Sequence, residues 1–271
     1  IKERSLLYRI GYRTASFGNQ GLREAFQALG ALGYDSVELC LEREEIDPLG
    51  LTAEKAEEVL EAAQRSGLTI HSVSYHGDGQ EWAARAERQL AAVKVAPWFG
   101  VKTIVVNTPP ASADVDAEAV VQDLYTVAEA AERAGVRVAV EPEPGLVVGT
   151  VADALRVVTE CPSHSLAVNL DVGHAFLTEP DLPAAIASLR GLLAHTHFED
   201  MPAGEHRHCI PGEGDLDLVD TILALWDAGF RGVLTLDLFG PFDDPLAVAQ
   251  KALSATRKVL REAYSRAHPR S

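Results

Sequence analysis

Apolar positions along the chain follow two alternating periods. Short runs rich in β-branched residues recur, and several follow a glycine: Gly33 precedes DSVELCLE, Gly67 precedes LTIHSVSYH, Gly100 precedes VKTIVVN, Gly135 precedes VRVAVEP and Gly229 precedes RGVLTLDLF. Glycine ends a helix with positive φ and releases the chain into a strand. Further strands are predicted at Arg9–Ala15, Leu166–Asp171 and Leu192–Phe198, which completes a set of eight. Between the strands the period changes to 3.6. Ala56, Val59, Leu60 and Ala63 share one helical face, as do Val120, Leu124, Val127 and Ala131, and Leu218, Ile222, Leu225 and Trp226. Thr150-x-x-Asp153 has the form of a capping box, and Asp244-Pro245 places an N-cap before a first-turn proline.

Strict alternation of strand and helix predicts a parallel sheet. Eight such units in 271 residues predict a closed α/β architecture, a (β/α)₈ TIM barrel forming a single domain over residues 1–271. An open doubly wound sheet would carry a Gly-rich phosphate loop after an early strand, and neither G-x-G-x-x-G nor G-x-x-x-x-G-K-S/T occurs. The longest irregular stretch is Glu199–Gly214, after the seventh strand, where long barrel loops usually carry function.

Polar residues gather at the C-terminal ends of the later strands. VAVEPEPG ends with Glu141, VNLDVGHAF with Asp171 and His174, HTHFED with His195, His197 and Asp200, and LTLDLFG with Asp237. Two residues earlier, Ala139, Asn169, His195 and Thr235 also point inward. Carboxylates at this depth repel one another unless paired or bound to a cation. Glu141, Asp171, His197 and Asp237 offer three oxygens and one imidazole, which suits one divalent ion among Mn²⁺, Mg²⁺, Co²⁺, Fe²⁺ and Zn²⁺. The alternative makes Asp171 and Asp237 loop caps and His197 a satisfied core histidine. Four such residues at one level favour the metal.

Charge narrows the partners. Lys and Arg total 24 against 40 Asp and Glu, a net −16, which repels nucleic acid and anionic lipid and favours a small molecule. No apolar run is long enough to span a bilayer, and IKERSLLYR does not read as a signal peptide. Cys40, Cys161 and Cys209 include no Cys-x-x-Cys and cannot all pair; they read as reduced thiols of a cytoplasmic protein.

VEPEPG, NLDVGHAFL, HTHFED, PGEGDLD and the Asp237 strand resemble the xylose-isomerase-like TIM barrels, a family of sugar isomerases, ketose 3-epimerases, inosose dehydratases and endonuclease IV. The resemblance covers nearly the whole chain. It implies that Glu141, Asp171 and His197 ligate the metal. The last strand usually supplies glutamate in the family. Asp237 stands there, and its shorter side chain must reach the ion through a backbone shift or a water. The epimerase branch further implies that Glu141 and Asp237 transfer protons on opposite faces of a polyhydroxy carbonyl substrate through a metal-stabilised enediolate. It places His174 against substrate. The related alternatives are an inosose-type dehydratase, an endonuclease-IV-like hydrolase and a barrel that binds without turnover. The hydrolase is disfavoured: VVNTPP stands where that branch has a histidine after strand four, and His206 replaces an aspartate of its multinuclear zinc site, although His208 matches.

Four further residues are expected to meet substrate. Arg207 and His208 sit on the seventh loop, and His76 lines the pocket with Tyr75. Glu38 either binds a substrate hydroxyl or closes a buried network, while His206 and Glu213 read as loop residues. Arg13 and Arg207 are the nearest rim cations, too few for a phosphorylated substrate. The sequence itself gives no oligomeric state; the resemblance, to a family whose members often pair through barrel helices, is what implies a homodimer.

Overall fold

A computed structural model describes residues 8–18, 20–240 and 242–268. Most of IKERSLLYR, read above for a leader, lies outside them. The strands are β1 (Arg9–Arg13), β2 (Ser36–Cys40), β3 (Thr69–Tyr75), β4 (Thr103–Val106), β5 (Arg137–Val140), β6 (Leu166–Asp171), β7 (Leu193–Phe198) and β8 (Val233–Leu236). All neighbours are parallel, and β1 pairs with β8 to close the barrel. The (β/α)₈ expectation is met.

The helices between them are α1 (Leu22–Leu32), α2 (Ala53–Arg65), α3 (Trp82–Val95), α4 (Ala117–Ala134), α5 (Val151–Glu160), α6 (Val172–Thr178), α7 (Leu182–Ser188), α8 (Leu218–Asp227) and α9 (Pro245–Ala267). Among the described residues, none is long and apolar enough to cross a membrane. Their boundaries follow local chemistry. Thr150 and Asp153 form the reciprocal capping box of α5, and Asp244 caps α9 ahead of Pro245. Gly135 ends α4 at φ 69°, a conformation that a side chain with a Cβ resists. The apolar faces of the helices pack on the outside of the barrel: Val120, Leu124, Val127 and Ala131 of α4 are all buried, as are Ile222 and Leu225 of α8.

Strands stop earlier than their apolar runs suggest. β1 ends at Arg13 and turns into a 3₁₀ segment over Thr14–Phe17, β2 ends at Cys40 and β8 at Leu236. Glu42, His76, Glu141 and Asp237 therefore sit just beyond strand ends, where side chains open into the rim. The irregular stretch expected over Glu199–Gly214 runs on to residue 217, and α8 begins at Leu218. Asp200 organises this loop by accepting hydrogen bonds from the backbone N–H groups of Met201, Gly212 and Leu216. It holds the loop rather than facing the cavity.

Candidate active site

The C-terminal mouth of the barrel holds a cavity of about 480 Å³, whose lining includes Arg13, Glu42, His76, Glu141, Glu143, His174, His206, Arg207, His208 and Asp237. Below it, a buried polar layer fills the barrel. His195 Nδ1–H donates to Asn169 Oδ1 at 2.9 Å, which leaves Nε2 to accept from Thr235 Oγ1 at 3.1 Å. Ser72 Oγ, 2.9 Å from the same nitrogen, donates to Glu38 Oε2 at 2.8 Å. Burial pushes the pKa of His195 down to about 3, so its ring is neutral and structural.

Glu38 is fully buried and touches His195, His197 and Arg13. It is absent from the cavity lining. Of its two sequence-level readings, the buried network fits. Glu38 Oε1 accepts from His197 Nε2 at 3.1 Å. That bond commits one ring nitrogen and aims Nδ1 at Glu141 Oε2, 3.3 Å away. A carboxylate behind an imidazole, orienting the opposite nitrogen toward an ion, is the usual support of a metal-ligating histidine.

Asp171 does two things. Its Oδ1 caps α6 by accepting from the His174 backbone N–H at 2.8 Å, while the buried Oδ2 lies 3.8 Å from His174 Nδ1 and the side chain meets the raised Glu199 carboxyl. Both the cap and the ligand reading thus have an oxygen to stand on. Donor atoms of Glu141, Asp171 and His197 lie within 4.8 Å of one another, and the three side chains are buried. Bonds of about 2.0–2.2 Å to a shared ion need donors no more than about 4.4 Å apart, which His197 Nδ1 and Glu141 Oε2 meet at 3.3 Å. Two buried carboxylates and an aimed imidazole nitrogen together fit a divalent cation.

Asp237 stands on the opposite wall. Its Oδ2 is 3.5 Å from His197 Nδ1, but Arg13 Nη1 donates to Oδ2 at 3.1 Å and to Oδ1 at 3.3 Å. Within 4.8 Å its donor atoms group with Asp171 and His208, in a set that shares Asp171 with that of Glu141 and His197. Arg13 Nη2 also donates to His76 Nδ1 at 2.6 Å. Guanidinium cannot accept, so His76 keeps its proton on Nε2 and donates to Glu141 Oε2 at 3.1 Å.

Electrostatics follow the same division. Burial alone would raise the Glu141 carboxyl, yet His197 and His76 hold it well below the usual range. Burial would likewise lower His197, but Glu141, Glu38 and Asp237 raise it well above an ordinary imidazole. His174 is pushed up to about 9: burial opposes its charge, and Asp171 and Glu141 outweigh it. As an imidazolium, His174 donates from Nε2 to the neutral His206 Nε2 at 2.8 Å. Asp237 is lowered, chiefly because Arg13 and then His197 overcome burial.

The expected residues fall as follows. Glu141, Asp237, His174, His76, Arg207 and His208 all line the cavity. Arg207 is half exposed and engaged with Glu205, and His208 Nδ1 donates to the Asp237 carbonyl at 2.8 Å. Asp171 and His197 lie just beneath, fully buried. Tyr75, expected beside His76, is buried away from the cavity with its hydroxyl on Gln80. His206, read as a loop residue, joins the lining because the seventh loop folds back over α6.

Several site residues escaped sequence reasoning. Glu42 accepts the backbone N–H groups of His76 and Gly77. Glu199 is buried beside Asp171, and burial together with the Asp171 charge raises its carboxyl well above the usual range. It accepts the Gly173 N–H at 2.9 Å, and a Cβ on Gly173 would collide with it, so glycine in DVGH is required by this approach. The carboxylates in LEREE and HFED were the available signal.

Known proteins resemble this chain over most of its length. A 3-dehydro-D-guloside 4-epimerase of Escherichia coli K12 is 26% identical over 272 residues, covering 92% of this chain and 99% of that protein. A 3-dehydroshikimate dehydratase of Pseudomonas putida is 26% identical over 258 residues, covering 88% of this chain and 39% of that longer protein. The structure of the IolI protein with a bound zinc atom shares the fold at a TM-score of 0.78 and 18% identity, over 95% of this chain and 99% of that one. The profile of the xylose isomerase-like TIM barrels matches residues 26–259, and the chain belongs to that family.

Proposed function

We propose that this protein is a divalent-metal-dependent epimerase or isomerase of a sugar, a cyclitol or a related polyhydroxy ketone. The observation that carries the reading is the buried set of Glu141, Asp171 and His197, with His197 aimed by Glu38. Relatives acting as a sugar epimerase and a dehydratase, and a neighbour of the same fold that holds zinc, are consistent with it.

A divalent ion held by Glu141, Asp171 and His197 would polarise a carbonyl and offset charge developing on its oxygen. Glu141 and Asp237 face the cavity from β5 and β8, so one can remove a proton from the carbon next to the carbonyl while the other returns one to the opposite face. Both are ionised at neutral pH, as a base must be. His174, charged below about pH 9, can hydrogen-bond a substrate oxygen.

A second reading is dehydration, supported by the dehydratase relative and by the same charged His174, which can protonate a departing hydroxyl after proton removal by Glu141. The test is incubation of the Mn²⁺-loaded enzyme with 3-keto-glucosides and free ketoses in D₂O. Deuterium entering next to the carbonyl, with epimer formed, is the expected result. Loss of water without epimer would select the dehydratase. Turnover with neither exchange nor elimination would overturn proton transfer.

A further inference from the structure

A second cavity of about 1030 Å³ lies beside the one at the barrel mouth, between the loops that follow β1 and β2. The two share Ala15, Cys40, Glu42 and Phe239, so they meet along one edge. The far side of the inner cavity is closed by packed imidazoles: the His174 ring centroid lies 4.7 Å from that of His206 and 5.3 Å from that of His208. A substrate too long for the inner cavity therefore extends toward β1 and β2. The outer walls are fixed there. Arg43 ties the two loops together: Nη1 donates to the Gly18 carbonyl at 2.8 Å, and Nε and Nη2 donate to Glu45 Oε1 at 3.2 and 2.9 Å. The same Glu45 oxygen accepts the Leu22 N–H at 3.1 Å, at the start of α1. On the shared edge, Glu42 is held by the Gly77 N–H at 3.0 Å and by the Cys40 thiol at 2.9 Å. Phe239 lines both cavities and is 65% exposed. An open aromatic face rimmed by carboxylates suits a sugar: the ring stacks its C–H face on the aromatic, and the carboxylates accept its hydroxyls.

We propose that the outer cavity is a subsite for a second sugar ring, so that the substrate is a ketone-bearing ring joined through its anomeric oxygen to another sugar rather than a free ketose. The inference rests on the epimerase reading above and names its substrate class. The oxidised ring occupies the inner cavity beside Glu141, and the second ring lies against Phe239 between the two loops. Glu42, Glu44 and Glu45 line the outer cavity, and among the described residues their sole cationic neighbour in that lining is Arg43, whose guanidinium is already engaged. The second ring is therefore uncharged or cationic, because an anionic one would meet this acidic wall. Contacts to a ring remote from the reacting carbon can be spent on orienting that carbon, so they raise turnover as well as affinity.

The test compares methyl 3-keto-β-glucoside with 3-keto-cellobiose, oxidised in its non-reducing ring, on the Mn²⁺-loaded enzyme, by kcat/KM and by calorimetric affinity. Keto-cellobiose is expected to be used at least about tenfold more efficiently than the methyl glycoside. Phe239→Ala, a truncation on the surface, should cut that advantage by about fivefold. Ala15→Leu narrows the shared edge and should remove the advantage, because the methyl glycoside does not cross that edge. If Ala15→Leu does not fold, Phe239→Ala decides. A keto-disaccharide whose second ring is a uronate should lose the advantage as well, and Glu44→Lys should restore part of it. Equal or lower efficiency with keto-cellobiose, unmoved by Phe239→Ala, would overturn the subsite and leave the epimerase reading standing. Binding and turnover of neither sugar would overturn both.

Discussion

Glu141, beyond β5, and Asp237, beyond β8, are both buried carboxylates facing one cavity, and both are held ionised. Their company differs. Glu141 is surrounded by imidazoles: His197, His76 and His174 all lie within 3.4 Å of its oxygens. Asp237 is held by a guanidinium. An imidazole can surrender its proton to an arriving metal ion, whereas a guanidinium cannot. The Glu141 wall can therefore shed protons as it turns from an ion-pair cluster into a metal site, while the Asp237 wall keeps the charge of Arg13 beside it throughout. The partner that neutralises a buried carboxylate decides what it can do next.

The largest effect expected from breaking this comparison is on turnover. Glu141→Gln removes a base and a ligand together, and kcat should fall by about 10³-fold or more, with metal content reduced as well. Asp237→Asn should cost turnover by about 10²-fold or more while metal content persists. Steady-state kinetics alongside elemental analysis separate the two walls. Asp237→Glu sharpens the contrast: if the wall is built around the shorter side chain and Arg13, the longer one displaces the guanidinium and lowers kcat.

Next in size is the support of His197. Glu38→Gln can still accept a hydrogen bond but loses the charge behind the ring, and divalent metal affinity should weaken by about 10- to 100-fold, read by competition with a chelating dye. An unchanged affinity would make Glu38 a filler of the barrel floor and nothing more.

The fold was legible in the sequence to the level of strand order. Glycines at helix ends, period switching and the absence of a phosphate loop were local signals, and each survived in three dimensions because local and tertiary preferences agree. That Glu141, Asp171, His197 and Asp237 gather at the C-terminal end of the barrel was legible too, with Asp171 and His197 set just beneath the cavity. Partnerships were not legible. Nothing in GYRTAS says that Arg13 reaches Asp237, because the two are 224 residues apart and meet only when β1 closes on β8. Glu38 looked ambiguous for the same reason: its orientation into the floor depends on Ser72, His195 and His197 arriving from two other strands. His206 was missed because the path of its loop over α6 is set by Asp200 clamping backbone groups far along the chain.

A smaller effect concerns protons. The pKa of His197 is raised in the metal-free protein, so its ring is protonated at neutral pH, and an ion must displace that proton to reach Nδ1. Mn²⁺ binding should release about one proton, and affinity should fall by about tenfold per unit as pH is lowered below that raised pKa. Titration in two buffers of different ionisation enthalpy measures the release. No release would mean that the imidazole is not a ligand.

The smallest effect is on substrate choice. The cavity lining carries Glu42, Asp78, Glu141, Glu143 and Asp237 against the His174 imidazolium and two arginines, one committed to Asp237 and one to Glu205. A sugar phosphate should be used at least about tenfold less efficiently than its free sugar, by kcat/KM. The reverse preference would call for a cationic wall that these residues do not form.

The most direct measurement is the metal content of protein stripped with chelator, reloaded with Mn²⁺ and dialysed, compared between wild type and His197→Ala. The expected result is about one ion per chain in wild type and a marked loss in the variant, as one buried set of Glu141, Asp171 and His197 requires. Two or three ions per wild-type chain, or full occupancy without the imidazole, would contradict it.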